Sequence, residues 1–387
     1  MSHKKRKICV VITARPSYSR IKSALTAIRK NENLELQLVV AGSALLDRYG
    51  TAVDYIEKDG FKINEKVFMV LEGENPTAMA KTTGLAVMEL STVFYNLKPD
   101  AVVTIADRFE TIATSIAASF QNIPLVHIQG GEVTGNIDEK VRHANTKLAD
   151  LHLVASEDAK ARVIKMGENP AMVINTGCPS IDLAKEVIEN PNPNFNPVQK
   201  YGGVGQAVGW ENGYLVVMQH PVTTEYSEAK EDILKTLAAI DELQIPTFWF
   251  WPNVDAGADG TSNGIRSYRE KNNPGNILFF KNMEPQDFLH LIHNSKVLIG
   301  NSSVGIRESA YLGVPVVNIG TRQNRRLRGK NVTDVPYNKE EIKQAIQNHL
   351  ISGRQTSENL YGDGDSGEKI AKVLEAFPLQ FHKTIEY

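Results

Sequence analysis

"KICVVITARPSYSRIKSALTAIRKNENLELQLVVAG", residues 7–42, decides the fold class. A short apolar run ("KICVVIT") passes through a polar turn at Arg15-Pro16 into a helix-period segment ("SRIKSALTAIRK") and then a second apolar run ("LELQLVVAG"). The apolar runs lack the polar alternation of a strand with one wet face, so they suit a parallel sheet covered on both sides. Strand, helix, strand is one βαβ unit.

The same grammar continues outward. "DAVVTIA", "IPLVHIQ", "DLHLVAS" and "AMVINTG" are further buried-strand runs, and the stretch "ALLDRYGTAVDYIEKDG" reads as helical. A break follows Gly177-Cys178-Pro179, and residues 189–213 are dense in Pro, Asn and Gly, as loop or linker is. Strands and helices then restart with "YLVVMQ", "ILKTLAAIDELQ", "PTFWFW", "NILFF", "FLHLIHNS", "KVLIG", "ESAYLG" and "VPVVNIG". The expected architecture is α/β: two Rossmann-like domains, residues 1–180 and 181–375, with a tail at 376–387 and a central cleft between them. Ligands of open parallel sheets bind outside the carboxyl ends of the strands.

Bulk properties narrow the function. The 387 residues are 42% hydrophobic and 23% charged, with a formal net charge of −2, which argues against a polyanion-binding surface and so against nucleic acid as main partner. The two cysteines, Cys9 and Cys178, form neither a disulfide framework nor a metal-type pair, and fit a reducing cytoplasm. The start, "MSHKKRKICVVITARPS", has the basic lead of a signal peptide, but its apolar run stops at Arg15-Pro16 with no cleavage-type residues after it. No stretch reaches the roughly 18 apolar residues of a membrane helix, so no membrane association is expected.

The chemistry-bearing residues fall just after the expected strands. "VVTIA" leads to Asp107-Arg108-Phe109-Glu110, and "PLVHI" to Gln129-Gly130-Gly131-Glu132. In the second half "YLVVMQ" leads to His220-Pro221, "TFWFW" to Pro252-Asn253-Val254-Asp255, and "KVLIG" to Asn301-Ser302-Ser303. One polar residue at a strand end is ordinarily a cap. Five such clusters on one edge argue for a site.

Within "GGEVTGNIDEKVRHANTKLADLH" (130–152), Asn136 and Glu139 have capping-box spacing, which claims Glu139 for structure. Asp138 and Arg142 are four apart, as a surface ion pair would be, yet they lie beside glycines that let backbone approach a ligand. His143 suits a helix histidine equally well. In "LIGNSSVGIRESAYLG" small residues at a helix start favour an anion, Ser302 and Ser303 add hydroxyls, and Glu308 is suited to bridge a diol. Arg15, Ser19 and Arg20 follow the first strand, in position for phosphate. "YGGVGQAVG" lacks G-x-G-x-x-G spacing and follows no strand, so it reads as linker. There is no P-loop lysine and no H-E-x-x-H, and the nine histidines are scattered, so neither metal nor cofactor is implied.

These segments, with "GCPSID", "QHPVTTE", "WPNVDAG", "GTRQNRRLRGKNV" and "YGDGDSGEKI", together resemble the hydrolysing UDP-N-acetylglucosamine 2-epimerases, over nearly the whole chain and in the same order. That family includes bacterial sialic-acid pathway enzymes and the epimerase half of the animal bifunctional enzyme. The resemblance implies the glycosyltransferase-B arrangement, a cytoplasmic homo-oligomer, and an anti elimination of UDP across C1 and C2. Water then adds to C1 of the 2-acetamidoglucal while C2 is reprotonated on the other face. By resemblance Asp107 and Asp138 match catalytic acids and Arg142 a residue that orients them. Arg15, Ser19, Arg108, His220, Ser302, Ser303 and Glu308 match nucleotide-sugar contacts, with Asn253 and Arg322 as further ones. Relatives often carry glutamate where this chain has Gln129. An amide is no general base, so Gln129 is expected to bind substrate and Glu132 to take over proton transfer. The non-hydrolysing relatives typically carry glutamate where this chain has Ser17. Related enzymes act on a 2,4-diacetamido-trideoxy sugar linked to UDP or GDP, and a transferase with the same fold would need an acceptor.

Overall fold

The computed structural model describes residues 4–47, 52–72, 76–133, 137–192, 194–206, 209–252, 258–379 and 383–386. The chain forms two compact units. The first comprises Met1–Val133, Ile137–Asp182 and Tyr361–Tyr387, and the second includes Leu183–Leu360.

Among its described residues the first unit carries seven strands: β1 (Arg6–Ile12), β2 (Leu34–Ala41), β3 (Glu65–Val67), β4 (Ala101–Ile105), β5 (Leu125–Ile128), β6 (Leu151–Val154) and β7 (Val173–Asn175). They form one parallel sheet in the order β3-β2-β1-β4-β5-β6-β7. Alternate residues feed opposite faces. Ile8, Val10 and Ile12 pack with Leu25, Ile28, Val103 and Ile105, whereas Cys9 and Val11 meet Ala86, Leu90 and Phe94 of the Pro76–Leu97 helix. Both faces are dry, which is why these runs read as unbroken apolar segments.

The second unit holds β8 (Leu215–Met218), β9 (Thr247–Phe250), β10 (Ile277–Phe280), β11 (Val297–Gly300), β12 (Val316–Ile319) and β13 (Val332–Val335). Its sheet is also parallel, in the order β10-β9-β8-β11-β12-β13. Two apolar clusters cover it, one around Phe248, Phe280 and Leu298, the other around Trp249, Ile240 and Ile299. Part of the glycine-rich segment read as linker joins this sheet: Val204 exchanges backbone hydrogen bonds of 2.9 and 3.0 Å with Phe279 at the β10 edge.

The order reverses between β1 and β4 in the first unit and between β8 and β11 in the second. In open α/β sheets these reversals are where connections leave in opposite directions and a crevice opens for ligand.

The expected boundary at 180 stands two residues from the observed one, but the expected extent of the second domain, to residue 375, differs from the structure. The chain returns to the first unit at Tyr361. The Ser366–Ala376 helix buries Ile370, Ala371 and Leu374 in the cluster that holds Ala24, Leu25 and Ile28. Asp182 receives its first amides, from Ser366 (2.9 Å) and Gly367 (2.7 Å), and Arg6 donates to the carbonyls of Leu374 (2.6 Å) and Phe377 (2.8 Å). At Gly367 a Cβ would stand 2.6 Å from the Ser23 backbone, so only glycine allows this approach. An apolar stripe that fits the first unit's core is a stronger determinant than position along the chain.

Candidate active site

At the switch-point edge of the first unit, β4 is followed by Ala106 and β5 by Gln129, and both residues adopt left-handed backbone (φ +59° and +64°). That region is sparsely populated by residues with a Cβ, and such conformers gather at functional sites. They aim the next residues, Asp107 and Gly130, off the sheet edge. Gly131 is also left-handed (φ +78°), and a Cβ there would lie 2.4 Å from the Ala159 carbonyl.

The Ile137–Leu148 helix supplies Arg142, only 1% exposed. Its guanidinium donates to Asp107 Oδ2 and, through Nη1, to the Glu132 carbonyl at 2.9 Å. Arg20, from the loop after β1, stands 3.8 Å from Asp107 Oδ1. Asp107 and Glu132 are both buried (7% and 5% exposed), and Asp138 is half-buried one turn before Arg142. Arg20, Asp107, Glu132 and Arg142 thus converge in one place, with Asp138 on the helix that carries Arg142. Glu139 pairs with His143 at 3.3 Å, whereas Asn136, its expected capping partner, lies outside the described residues.

Other expected residues are placed less directly. Arg108 donates to buried Glu110 at 2.9 Å. Arg15 lies over the Tyr55 ring at 5.8 Å, in a five-residue helix (Arg15–Ser19) where Ser19 bonds the Pro16 carbonyl at 3.1 Å. Gln129 is 1% exposed and donates through Nε2 to Cys178 Sγ at 2.9 Å, while its Oε1 has no hydrogen-bond partner among the described residues. The amide therefore has an acceptor oxygen left, while its nitrogen donates to the Cys178 thiol.

Behind these acids is a polar layer that sequence reading missed. His127, fully buried in β5, contacts the Ala106 carbonyl through Nε2 (3.0 Å) and Thr146 Oγ1 through Nδ1 (3.1 Å). A carbonyl only accepts, so Nε2 carries the hydrogen. Burial pushes the imidazole down to about 3, and it is neutral at ordinary pH. One signal was available: a histidine inside an otherwise apolar strand must find partners.

In the second unit the switch-point loops after β8 and β11 are tied together. His220 N donates to Asn301 Oδ1 at 2.7 Å and Asn301 Nδ2 returns to the His220 carbonyl at 2.8 Å. The Asn301 carbonyl accepts from Arg322 (3.2 Å) and Gln323 (2.8 Å). Arg307, 1% exposed, donates to Ser303 Oγ at 3.0 Å and lies 4.0 Å from Glu308. The expected helix after Ser302 is two short pieces, Ser303–Gly305 and Glu308–Leu312. So brief a helix has little macrodipole, and any anion there would depend on Ser302, Ser303 and the arginines. Sequence reading missed Arg307 and Gln323, and Asn253 lies outside the described residues. Among the described residues no group of His, Cys, Asp and Glu is arranged to hold a metal ion, and no helix is long and apolar enough to cross a membrane.

Two parallel α/β units with polar residues gathered at their switch points define a class: enzymes and binding proteins built on paired Rossmann-like folds. The particular lineage follows from comparison. Residues 26–375 match the model of the UDP-N-acetylglucosamine 2-epimerase family. The chain is 32% identical, over 97% of both chains, to the hydrolysing UDP-N,N'-diacetylbacillosamine 2-epimerase of Legionella pneumophila. It is 29% identical to the UDP-N-acetylglucosamine 2-epimerase of Neisseria meningitidis, over 96% of this chain and 95% of that one. A crystal structure of UDP-GlcNAc 2-epimerase from Neisseria meningitidis bound to UDP-GlcNAc superposes with a TM-score of 0.80 at 18% identity, covering 95% of this chain and 99% of that one. This chain therefore belongs to the UDP-N-acetylglucosamine 2-epimerase family, and its fold is the two-unit, glycosyltransferase-B-like one.

Proposed function

We propose that the protein is a hydrolysing nucleotide-sugar 2-epimerase, converting UDP-N-acetylglucosamine to UDP and N-acetylmannosamine. The carrying observation is the Arg142 fork, which fixes Asp107 and the backbone of Glu132 at one strand edge. In the elimination half, the C1–O bond to UDP breaks and the C2 proton leaves to a carboxylate. In the hydration half, water gives hydroxide to C1 and C2 takes a proton on the opposite face. Such chemistry needs fixed carboxylates for proton transfer and for the developing positive charge at C1. Asp107, Glu132 and Asp138 are the candidate acids, and Arg142 holds the carboxylate of the first and the backbone of the second. Arg15, Ser19, Arg108, Gln129, His220, Asn253, Ser302, Ser303, Glu308 and Arg322 are the candidate substrate contacts. Ser17, where non-hydrolysing relatives typically carry glutamate, supports the hydrolytic outcome.

A second reading concerns the sugar. The Legionella relative's name specifies a 2,4-diacetamido sugar, and this supports a bacillosamine-type substrate for the same chemistry. The test is incubation in deuterated water with each UDP-sugar in turn. Free UDP together with a 2-epimerised free sugar deuterated at C2 is expected. Accumulation of an epimerised UDP-sugar would overturn the hydrolytic reading, and product formation only with an added acceptor would point to a transferase.

A further inference from the structure

We propose that the chain's C-terminal segment belongs to the catalytic apparatus, with Lys383 as a positioning residue clasping the Ile137–Leu148 helix. The last turn of a helix leaves carbonyls without intrahelical partners and carries the negative end of its dipole. Lys383 Nζ sits there, donating to the carbonyls of Thr146 (3.0 Å) and Ala149 (2.6 Å). It also pairs with Glu168 at 2.7 Å. Glu168, 2% exposed, gathers Lys147 (2.6 Å) and His152 (3.0 Å) as well, so one carboxylate binds the helix, β6 and the C-terminal segment. Glu386 N donates to the Gly167 carbonyl at 3.0 Å and lays the segment alongside.

The clasp reaches the acids by short steps. Thr146, whose carbonyl Lys383 holds, has its Oγ1 at 3.1 Å from both the Arg142 carbonyl and His127 Nδ1, and its one hydroxyl hydrogen is shared between these two acceptors. His127 holds the Ala106 carbonyl, and Ala106 is the left-handed residue that aims Asp107. Arg142 closes the circuit on Asp107. A lysine ammonium thus fixes the far end of the helix that presents Asp138 in its first turn and Arg142 at its middle. This rests on the reading of Asp107 and Asp138 as the acids.

The test compares Lys383→Met and Lys383→Arg in the full chain, with whichever UDP-sugar turns over as substrate. Hydrogen exchange of residues 137–148 is followed in parallel. Lys383→Met is expected to lower kcat by about tenfold, since small misplacements of reacting groups carry large rate costs. KM should be unchanged, exchange in the last helical turns faster, and Lys383→Arg should keep most of the activity. Unaltered kcat in Lys383→Met overturns the inference, as does a loss fully accounted for by a smaller folded fraction. Asp107→Asn and Asp138→Asn are assayed alongside. Normal turnover in both would sink the acid assignment itself, independently of what Lys383→Met does.

Discussion

Arg142 is a fully buried cation whose guanidinium is divided between Asp107 and a backbone carbonyl. Removing one partner of such a pair strands the other, at about 3–5 kcal/mol. Arg142→Met should therefore lose about that much stability along with turnover, whereas Arg142→Met combined with Asp107→Asn should recover part of the stability and none of the turnover. Denaturant titration and a product assay separate the two. His127 gives a prediction of opposite character. Its folded-state value lies near 3, below the 6.5 of an unperturbed imidazole, so the unfolded chain takes up the proton first. Stability from this group is whole above about pH 6.5 and drains as pH falls toward 3, by up to about 1.4 kcal/mol per pH unit. Glu168 adds a second loss lower down. Burial alone would raise it, but hydrogen bonds from His152, Lys147 and Lys383 win and bring it to about 2, so its contribution fades from about 4.5 downward. Denaturant titrations stepped into acid should show a flatter upper limb for His127→Gln. An identical slope would refute the histidine's part. Asp107 was legible in the sequence because a strand end announces it, and Arg142 because it stands four residues from Asp138 on a helix that starts beside the glycine pair. His127, Glu168 and Lys383 were not, because their partners lie 16 to 237 residues away.

At the scale of elements, the strands that could be read were those dry on both faces, such as β4, whose five residues are all buried. Two of the edge strands, β3 and β13, could not. β3 (Glu-Lys-Val) and β13 (Val-Thr-Asp-Val) carry charge on exposed positions, as edges do to discourage further pairing. The turn after β11 is more tightly specified than its sequence suggested. Gly300 adopts φ +125°, and a Cβ there would fall 2.2 Å from the Met218 carbonyl on β8. Gly300→Ala is thus expected to cost at least about 1–3 kcal/mol of backbone strain. It should also loosen the His220–Asn301 clasp one residue on, so UDP affinity should fall more than the melting temperature alone implies. Calorimetric titration with UDP checks this, and unchanged affinity would remove the switch-point loop of the second unit from nucleotide binding.

At the scale of the molecule, the chain leaves the first unit at Asp182, builds the second, and returns at Tyr361. The restart of the strand–helix pattern after residue 213 made two units legible. The return was hidden, because one amphipathic helix after a long α/β array reads as that array's last member. What decides its place is complementarity: Ile370 and Leu374 fit against Leu25 and Ile28, and Asp182 supplies the cap. This gives a prediction that separates the two units. Ending the chain at Leu360 removes burial of two large apolar side chains, each contributing about 1.5–3 kcal/mol, together with the Asp182 and Arg6 hydrogen bonds and the Lys383 clasp. The first unit should melt well below its full-length temperature while the second, whose whole sheet lies within Leu183–Leu360, keeps its own transition. Scanning calorimetry of the shortened chain should therefore resolve two transitions, with UDP shifting the upper one if the second unit holds the nucleotide. A single transition lowered as a whole would mean that the units unfold cooperatively and that the returning segment stabilises both.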